Sequence, residues 1–535
     1  MAQYCKLNTI SELNEKFRTT NYLTIRTSER PWLPVFQSGD TNTLTDFILL
    51  LMVRNALLIV IDSLRADRVF ADNDITPMLD RISADSERFT SCFACADKTT
   101  ASVTTIQTGQ YPTRHGILHH GKDVTETELE FVSSTRSLQE RLQDTHTTIG
   151  CDILGSWHRE GFDHYHPQPS TSKRMGKRTV EVLPEPIEQS VKKLYHRISS
   201  DDASSDRDET IPKLGESRPD EQRAKGLTDQ FLSAANAVDS PWFGFLHYWD
   251  THLGYTVEEN HLRALSDRTY EDGDVTIAEL EDRYPEHPEL ADGRLRYSDV
   301  ETVGDLKRAY DAAARTVDAQ IGRLFDTLES RGELDETAII ITADHGESLT
   351  GNNIFFNHRE LYDQTMHVPL LINAPRFAGT EDRFVQHVDL LPTVLDLLDI
   401  SYDPDEVDGC SLVPSSDDER SLDRDAVYCE QTHDARQQAI RTREFKYIRK
   451  LDRTRSGQAA SVSRPAEQLY DLETDPGETT NLAAEQPNRC ADLRTRLDEW
   501  LDNLPRPEKS QPSVEHPGED EELMETLDAL GYKFD

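Results

Sequence analysis

The sequence predicts an α/β protein: a large, mostly parallel sheet with helices on both faces, followed by a smaller C-terminal antiparallel-sheet subdomain. Three observations lead to this prediction. Short apolar runs at 56–61, 242–247 and 338–342, the last of them β-branched, are typical of buried strands. Helical segments alternate with such runs, as in a doubly wound sheet. The length of 535 residues also suffices for one large α/β domain and a smaller one.

The main domain is expected to begin at Met52, directly before the first strand. Strands and helices then alternate to about Tyr165. Residues 1–51 precede this pattern and are interpreted as an N-terminal extension or a misassigned start. The main domain is predicted to end near residue 400.

Two polar stretches interrupt the main domain. The first, at about 167–225, is rich in Ser, Pro, Lys and Asp and has no apolar periodicity, which favours a solvated insertion over a lid. The second covers about 256–301. After it, apolar residues recur every 3.6 positions from Tyr310 to Leu328, which predicts a helix that stops at Gly332.

The C-terminal part is predicted to form a separate subdomain at 401–505. Acids and turn residues near 399–425 indicate the boundary. The runs 427–429 and 445–448 predict short antiparallel strands, and a terminal helix follows. Residues 506–535 are interpreted as an acidic tail.

The chain is strongly acidic, with a formal net charge of −41. Such a surface excludes nucleic acid and anionic membranes as partners bound by charge. Lysine supplies only 15 of the 58 basic residues. A halophilic protein that needs molar salt to fold is the favoured interpretation, since salt screens self-repulsion.

No secretory signal or membrane span is evident in the sequence. The apolar run 47–61 is short and is interrupted by Arg54 and Asn55. A cytoplasmic location is therefore expected. The seven cysteines are scattered, and the pair Cys92 and Cys95 is better explained as two buried small hydrophobes than as a redox or zinc motif.

Acidic residues directly follow two of the predicted strands. Asp62 follows the first strand, and Asp344 with His345 follows the strand 338–342. Ligands of open α/β sheets bind beyond the carboxyl ends of the strands. The sequence therefore predicts a divalent-metal site and a metal-dependent hydrolase.

The ordered motifs 58–67, 108–116 and 342–347 resemble those of sulfatases, which belong to the alkaline phosphatase superfamily. The segments 361–363, 368–370 and 469–478 resemble later signatures of the same family. The resemblance implies that 52–400 is a sulfatase/alkaline phosphatase-like catalytic domain. It also implies a metal site of Asp62, Thr99, Asp344 and His345, for which the ligand types suit Mn²⁺, Mg²⁺ or Ca²⁺ and do not exclude Zn²⁺.

In this family the nucleophile lies ten residues before the glycine of the Thr-Gly pair, which here places Thr99 in that role. Sulfatases proper carry Cys or Ser there, followed by Pro and Arg, and convert the first residue to formylglycine. This chain has Thr99, Ala101 and Val103. Threonine cannot form formylglycine, so the pattern resembles instead the superfamily's phosphodiesterases and phosphoglycerol-type transferases. The family's second Asp is Ser63 here, which removes one metal ligand.

The resemblance also assigns roles around the transferred group. His252 is the candidate general acid, with a structural role as the alternative. His358 lies where the family places a Lys or His facing the substrate. His247 is a candidate substrate-binding residue or a satisfied core histidine, and Lys98 either binds an anion or points to solvent.

The expected substrate is a phosphate or sulfate ester of a small molecule, glycan or lipid. Two alternatives stay open. One is a phosphoglycerol- or phosphoethanolamine-type transferase, which the missing membrane spans disfavour. The other is a non-catalytic anion-binding protein, suggested by Ser63 and by the residues that follow Thr99. No motif specifies an oligomeric state.

Overall fold

The structure is a computed structural model. It describes residues 53–71, 73–121, 124–166, 213–215, 218–285, 287, 290, 293–414, 424–431, 436–451 and 465–505. The predicted N-terminal extension at 1–51, Met52 and the acidic tail at 506–535 lie outside the described residues. So does most of the first polar stretch, at 167–212.

Thirteen strands are formed by the described residues. They are β1 Asn55–Ile61, β2 Glu87–Phe93, β3 Thr147–Cys151, β4 His164–His166, β5 Trp242–Tyr248, β6 Thr337–Ala343, β7 His367–Asn373, β8 Gly379–Glu381, β9 Val385–Gln386, β10 Ala426–Glu430, β11 Gln437–Thr442, β12 Phe445–Lys450 and β13 Glu467–Asp471.

The α-helices of the described residues are α1 Ala66–Phe70, α2 Pro77–Ser83, α3 Thr99–Thr108, α4 Pro112–His115, α5 Glu126–Ser133, α6 Leu138–Leu142, α7 Ala224–Ala235, α8 Glu259–Ala264, α9 Ile277–Arg283, α10 Val303–Arg331, α11 Asp363–Met366, α12 Leu390–Leu397 and α13 Pro487–Asn503.

The large sheet has nine strands in the order β4-β3-β5-β1-β6-β7-β2-β8, with β9 also paired to β2. Strands β4, β3, β5, β1 and β6 are parallel, and β7 is antiparallel to both of its neighbours. The four strands β10 to β13 form the separate antiparallel sheet. The predicted fold class is confirmed.

Helices cover both faces of the large sheet. On one face Gly244 leaves room for the Phe231 ring of α7, which packs against α10. On the other face Phe162 stacks on Phe243, and α3 packs nearby against α6 and α12. The central strands β1, β5 and β6 are buried along their whole length, which explains their continuous apolar sequences.

The second polar stretch, at 256–301, is partly folded. It contains α8 and α9 and has its own small core, in which Ile277 and Leu280 cluster with Tyr310 of α10. Helix α10 is longer than its apolar repeat, because Thr302 forms a capping box with Asp305 at its start. Gly332 ends it with a φ of 71°, as predicted.

Among the described helices, none is long and apolar enough to span a bilayer. Cys92 and Cys95 are both buried free thiols.

Candidate metal-dependent active site

Strand register brings the two predicted acids together. Strands β1 and β6 pair in parallel with Ile61 opposite Ala343, so Asp62 and Asp344 leave the sheet side by side. The amide of Asp62 still donates to Tyr248 O of β5 at 2.8 Å. The acids therefore lie at the carboxyl edge of three adjacent strands, where ligands of parallel sheets bind.

Asp62, Asp344 and His345 form a compact ligand cluster. One ligand atom from each lies within 4.8 Å of the others, and all three residues are fully buried. The amides of Ser63 and His345 donate to Asp344 Oδ1 at 3.0 and 2.7 Å. His345 Nδ1 lies 2.9 Å from Gly346 O, so it donates there and leaves Nε2 as the acceptor on the site side.

The cluster is electrostatically uncompensated. Burial, followed by repulsion from Asp344, raises the pKa of Asp62. Burial also raises the pKa of Asp344 and lowers that of His345 to about 4. Asp62 Oδ2 is buried and accepts no hydrogen bond from the described residues. Two carboxylates and a neutral imidazole with free acceptor atoms fit a divalent cation.

Thr99 is the first residue of α3 and joins this cluster. Its Oγ1 lies 3.3 Å from His345 Nε2, and the side chain is buried. Helix α3 is anchored to the same edge by Ser102, whose Oγ donates to Asp344 O at 2.6 Å and lies 3.0 Å from His387 Nδ1. Sequence reasoning did not identify this anchor.

His358, His252 and Lys98 lie on the same side as Thr99. The His358 ring centroid is 4.1 Å from that of His345 and 5.9 Å from that of His252. Burial, then the charge of Lys98, holds the pKa of His358 well below its usual range. Lys98 is buried, so it does not point to solvent. The structure thus brings three predicted polar groups to one side of the cluster.

Ser63 stands where sulfatases proper carry a second acid. Its Oγ donates to Asp62 Oδ1 at 2.7 Å, so it holds a carboxylate of the cluster. Its backbone has a φ of 61°, a left-handed conformation that is unfavourable for a non-glycine residue. This strained position is consistent with a functional site.

His247 lies on β5 and is held by Asp152, which follows the neighbouring strand β3. Its Nδ1 is 3.0 Å from Asp152 Oδ1, and both side chains are fully buried. Asp152 was not predicted. The signal was available, because Asp152 directly follows β3 as Asp62 follows β1. The flanking segment 147–151 is short and contains two threonines and a glycine, which obscured the strand.

A comparison with protein-family models identifies the family of this chain. A model described as "Sulfatase" matches residues 54–400. The chain belongs to the sulfatase family. A second model, "N-sulphoglucosamine sulphohydrolase, C-terminal", matches residues 351–506 of this sulfatase-family chain. Sulfatase-family enzymes generally use a divalent metal, and Asp62, Asp344 and His345 form a possible ligand cluster.

Curated relatives match over different lengths. Arylsulfatase K of Bos taurus is 29% identical over 266 residues, which is 47% of this chain and 46% of that protein. The chain therefore spans about half of this relative. The uncharacterized sulfatase YidJ of Escherichia coli is 25% identical over 445 residues, which is 80% of this chain and 81% of that protein.

A solved structure shares the fold over nearly the whole of its length. The phosphonate monoester hydrolase of Agrobacterium radiobacter superposes with a TM-score of 0.60 at 21% identity, covering 84% of this chain and 96% of that one. At this identity the likeness establishes the architecture.

Proposed function

We propose that this sulfatase-family hydrolase cleaves phosphate or sulfate esters with Thr99 as its nucleophile. The single observation that supports the role is the position of Thr99 Oγ1, 3.3 Å from His345 Nε2 at the edge of the buried acid cluster. Asp62, Thr99, Asp344 and His345 would hold one divalent ion, Mn²⁺, Ca²⁺, Mg²⁺ or Zn²⁺. Such an ion would lower the pKa of a bound hydroxyl and neutralise charge on the ester group.

The residues of the chain then perform two displacements. Thr99 Oγ1 releases its proton to solvent and bonds to the phosphorus or sulfur, while the bond from that atom to the ester oxygen breaks. His252 donates a proton to the departing oxygen. Water then attacks the phosphorus or sulfur of the modified threonine and restores the Thr99 hydroxyl. The released product is inorganic phosphate or sulfate from a monoester, and a phosphate monoester from a diester.

Polar side chains around the cluster are proposed to bind the anionic group. Lys98, His358 and His247 are proposed to contact its non-bridging oxygens. Thr99 also begins the ten-residue helix α3, so the backbone amides of its first turn favour an anion there. The enzyme works without formylglycine, since Thr99 cannot be converted and Ala101 and Val103 replace the family's Pro and Arg.

The test compares Thr99→Ala with Thr99→Ser, a matched control that keeps the hydroxyl. Each is assayed in molar salt with Mn²⁺ on p-nitrophenyl sulfate, p-nitrophenyl phosphate and bis-p-nitrophenyl phosphate. Thr99→Ala is expected to lose more than about 10³-fold in kcat, and Thr99→Ser less than about tenfold. Turnover of the diester would define a phosphodiesterase. Turnover that survives in Thr99→Ala would refute the nucleophile.

A non-catalytic anion-binding protein is the second candidate, favoured by Ser63 at a ligand position. Stoichiometric Mn²⁺ binding with no turnover of the three esters would support it. Adding glycerol to the assay distinguishes the transferase alternative, because a transferase would form a glycerol ester in preference to free phosphate.

We also propose that the protein is cytoplasmic and adapted to salt, and its acidic composition supports the salt adaptation. With a formal charge of −41, the folded state is expected to gain stability steadily from dilute buffer to molar KCl. Equal unfolding midpoints at low and high salt would contradict this proposal.

A further inference from the structure

Four buried ionisable side chains lie on one face of four adjacent parallel strands. In the register of β3 and β5, Cys151 pairs with Leu246, which places Asp152 beside His247. His247 in turn pairs with Val60, two residues before Asp62. Because side chains alternate along strands, Asp152 and His247 extend the row of Asp62 and Asp344 on the same face.

Asp152 is saturated with hydrogen bonds. Its carboxylate accepts from two backbone amides, Ile153 N at 2.7 Å and Leu154 N at 3.2 Å. It also accepts from three side chains, at 3.0 Å from His247 Nδ1, 3.2 Å from Trp249 Nε1 and 3.3 Å from Tyr165 OH. Burial alone would raise its pKa, but His247 and these hydrogen bonds outweigh burial and lower it. The lowered pKa and the five donors favour the ionised form of Asp152.

Only one of those three side chains has a second polar atom. Trp249 and Tyr165 each use their single polar hydrogen on Asp152. His247 has Nε2 in addition, which is buried and has no hydrogen-bond partner among the described residues. Leaving a buried ring nitrogen unpaired is unfavourable, so a group that binds beside Asp62 is expected to pair with it.

We propose that Asp152 is a positioning residue that orients His247, so that Nε2 donates to an oxygen of the phosphate or sulfate group beside Asp62. The inference rests on the proposed function and adds a residue that family motifs do not indicate. Burial lowers the pKa of His247, but the Asp152 carboxylate outweighs it and raises the pKa, which favours the donating imidazolium.

The experiment is a double-mutant cycle with a matched control. Asp152→Asn keeps the shape of the carboxylate and removes its charge, and His247→Gln removes the imidazole. Each single variant is expected to lower kcat/KM by about 10- to 100-fold. The double variant should be no worse than His247→Gln alone, because Asp152 acts only through His247. Tyr165→Phe removes a donor to the other oxygen of the same carboxylate and should stay within about twofold of the wild type.

A second readout is independent of turnover. The affinity for inorganic phosphate is measured by calorimetry in the Thr99→Ala background with Mn²⁺ present, and Asp152→Asn and His247→Gln should each weaken it about tenfold. Additive losses in the cycle, or an Asp152→Asn protein that matches Tyr165→Phe in both readouts, would overturn the inference. If turnover survives in Thr99→Ala while the cycle is non-additive, the nucleophile is wrong and the positioning role of Asp152 holds.

Discussion

Among the described residues, two clusters of charged side chains are built in opposite ways. In the metal-site cluster, burial raises the pKa of both Asp62 and Asp344, and repulsion from Asp344 raises that of Asp62 further. The second cluster, which we call the clamp, consists of Asp363, Glu478, Lys446 and Arg441. Lys446 Nζ lies 2.5 Å from Asp363 Oδ1 and 2.7 Å from Glu478 Oε1, and Arg441 Nη2 lies 3.0 Å from Asp363 Oδ2.

The clamp joins the two sheets of the protein. Asp363 begins α11 beside the large sheet, whereas Lys446 and Arg441 lie on β12 and β11 of the small one. Lys446 and Arg441 outweigh burial and lower the pKa of Asp363, whereas burial raises the pKa of Glu478 to about 8, so the cations compensate Asp363 in particular. This difference in charge compensation distinguishes acids that stabilise the fold from acids that bind a ligand. A buried acid that is matched by cations holds the fold, while an unmatched pair of acids indicates a site for a ligand.

The largest expected effect is the loss of activity on changing the metal-site cluster. Asp344→Asn should lower kcat/KM by about 10³-fold or more, because it removes a proposed metal ligand. The unfolding free energy of the metal-free protein should stay within about 1 kcal/mol of wild type or rise, since a repulsive buried charge is gone. Chemical denaturation with EDTA checks this, and a large destabilisation would contradict the comparison.

The metal itself supplies the control for that variant. Excess Mn²⁺ should stabilise the wild type by roughly 2.7 kcal/mol at 100 times its Kd, and should not stabilise Asp344→Asn. An equal thermal shift in both proteins would place the ion elsewhere.

The opposite result is expected for the clamp. Lys446→Met leaves the half-buried Asp363 and the buried Glu478 without their shared cation and should destabilise the protein by about 3–5 kcal/mol. The kcat of the protein that remains folded should be unchanged. Arg81→Gln breaks an exposed pair with Asp326 and is the control, with an expected cost below about 1 kcal/mol. Urea unfolding of both variants would show whether charge matching carries stability.

The smallest effect concerns two buried imidazoles that brace helix α3. His115 Nε2 lies 3.1 Å from Thr105 Oγ1, and His158 Nδ1 lies 3.1 Å from Gln107 Oε1. Burial lowers the pKa of His115 to about 3 and that of His158 to about 4, from 6.5. The unfolded chain therefore takes up protons first, and stability is lost as the pH falls from about 6.5 towards 4.

Each of these histidines should contribute up to about 1.4 kcal/mol per pH unit in that window. His115→Gln is expected to reduce the slope of unfolding free energy against pH by about one proton. Unfolding curves at pH 7, 6 and 5 decide the matter, and equal slopes in wild type and His115→Gln would contradict the assignment.

Much of the site was predictable because strand ends are readable in sequence. The run 56–61 is continuously apolar and Asp62 ends it abruptly, so both the strand and its terminal acid follow from one pattern. Asp152 was not predicted because the strand before it lacks such an apolar pattern. Its strand is five residues long, and Thr147, Thr148 and Gly150 give it no clear apolar run.

The sequence by itself determined the α/β class, the small C-terminal sheet and the acids at the ends of β1 and β6, because burial demands local apolar patterns. Only the tertiary structure decided that Thr99 lies beside His345, that Lys98 is buried and that His247 pairs with Asp152. Those contacts join residues 95 or more positions apart. They depend on strand order, register and helix packing, and the local spacing of apolar residues in the sequence does not specify these.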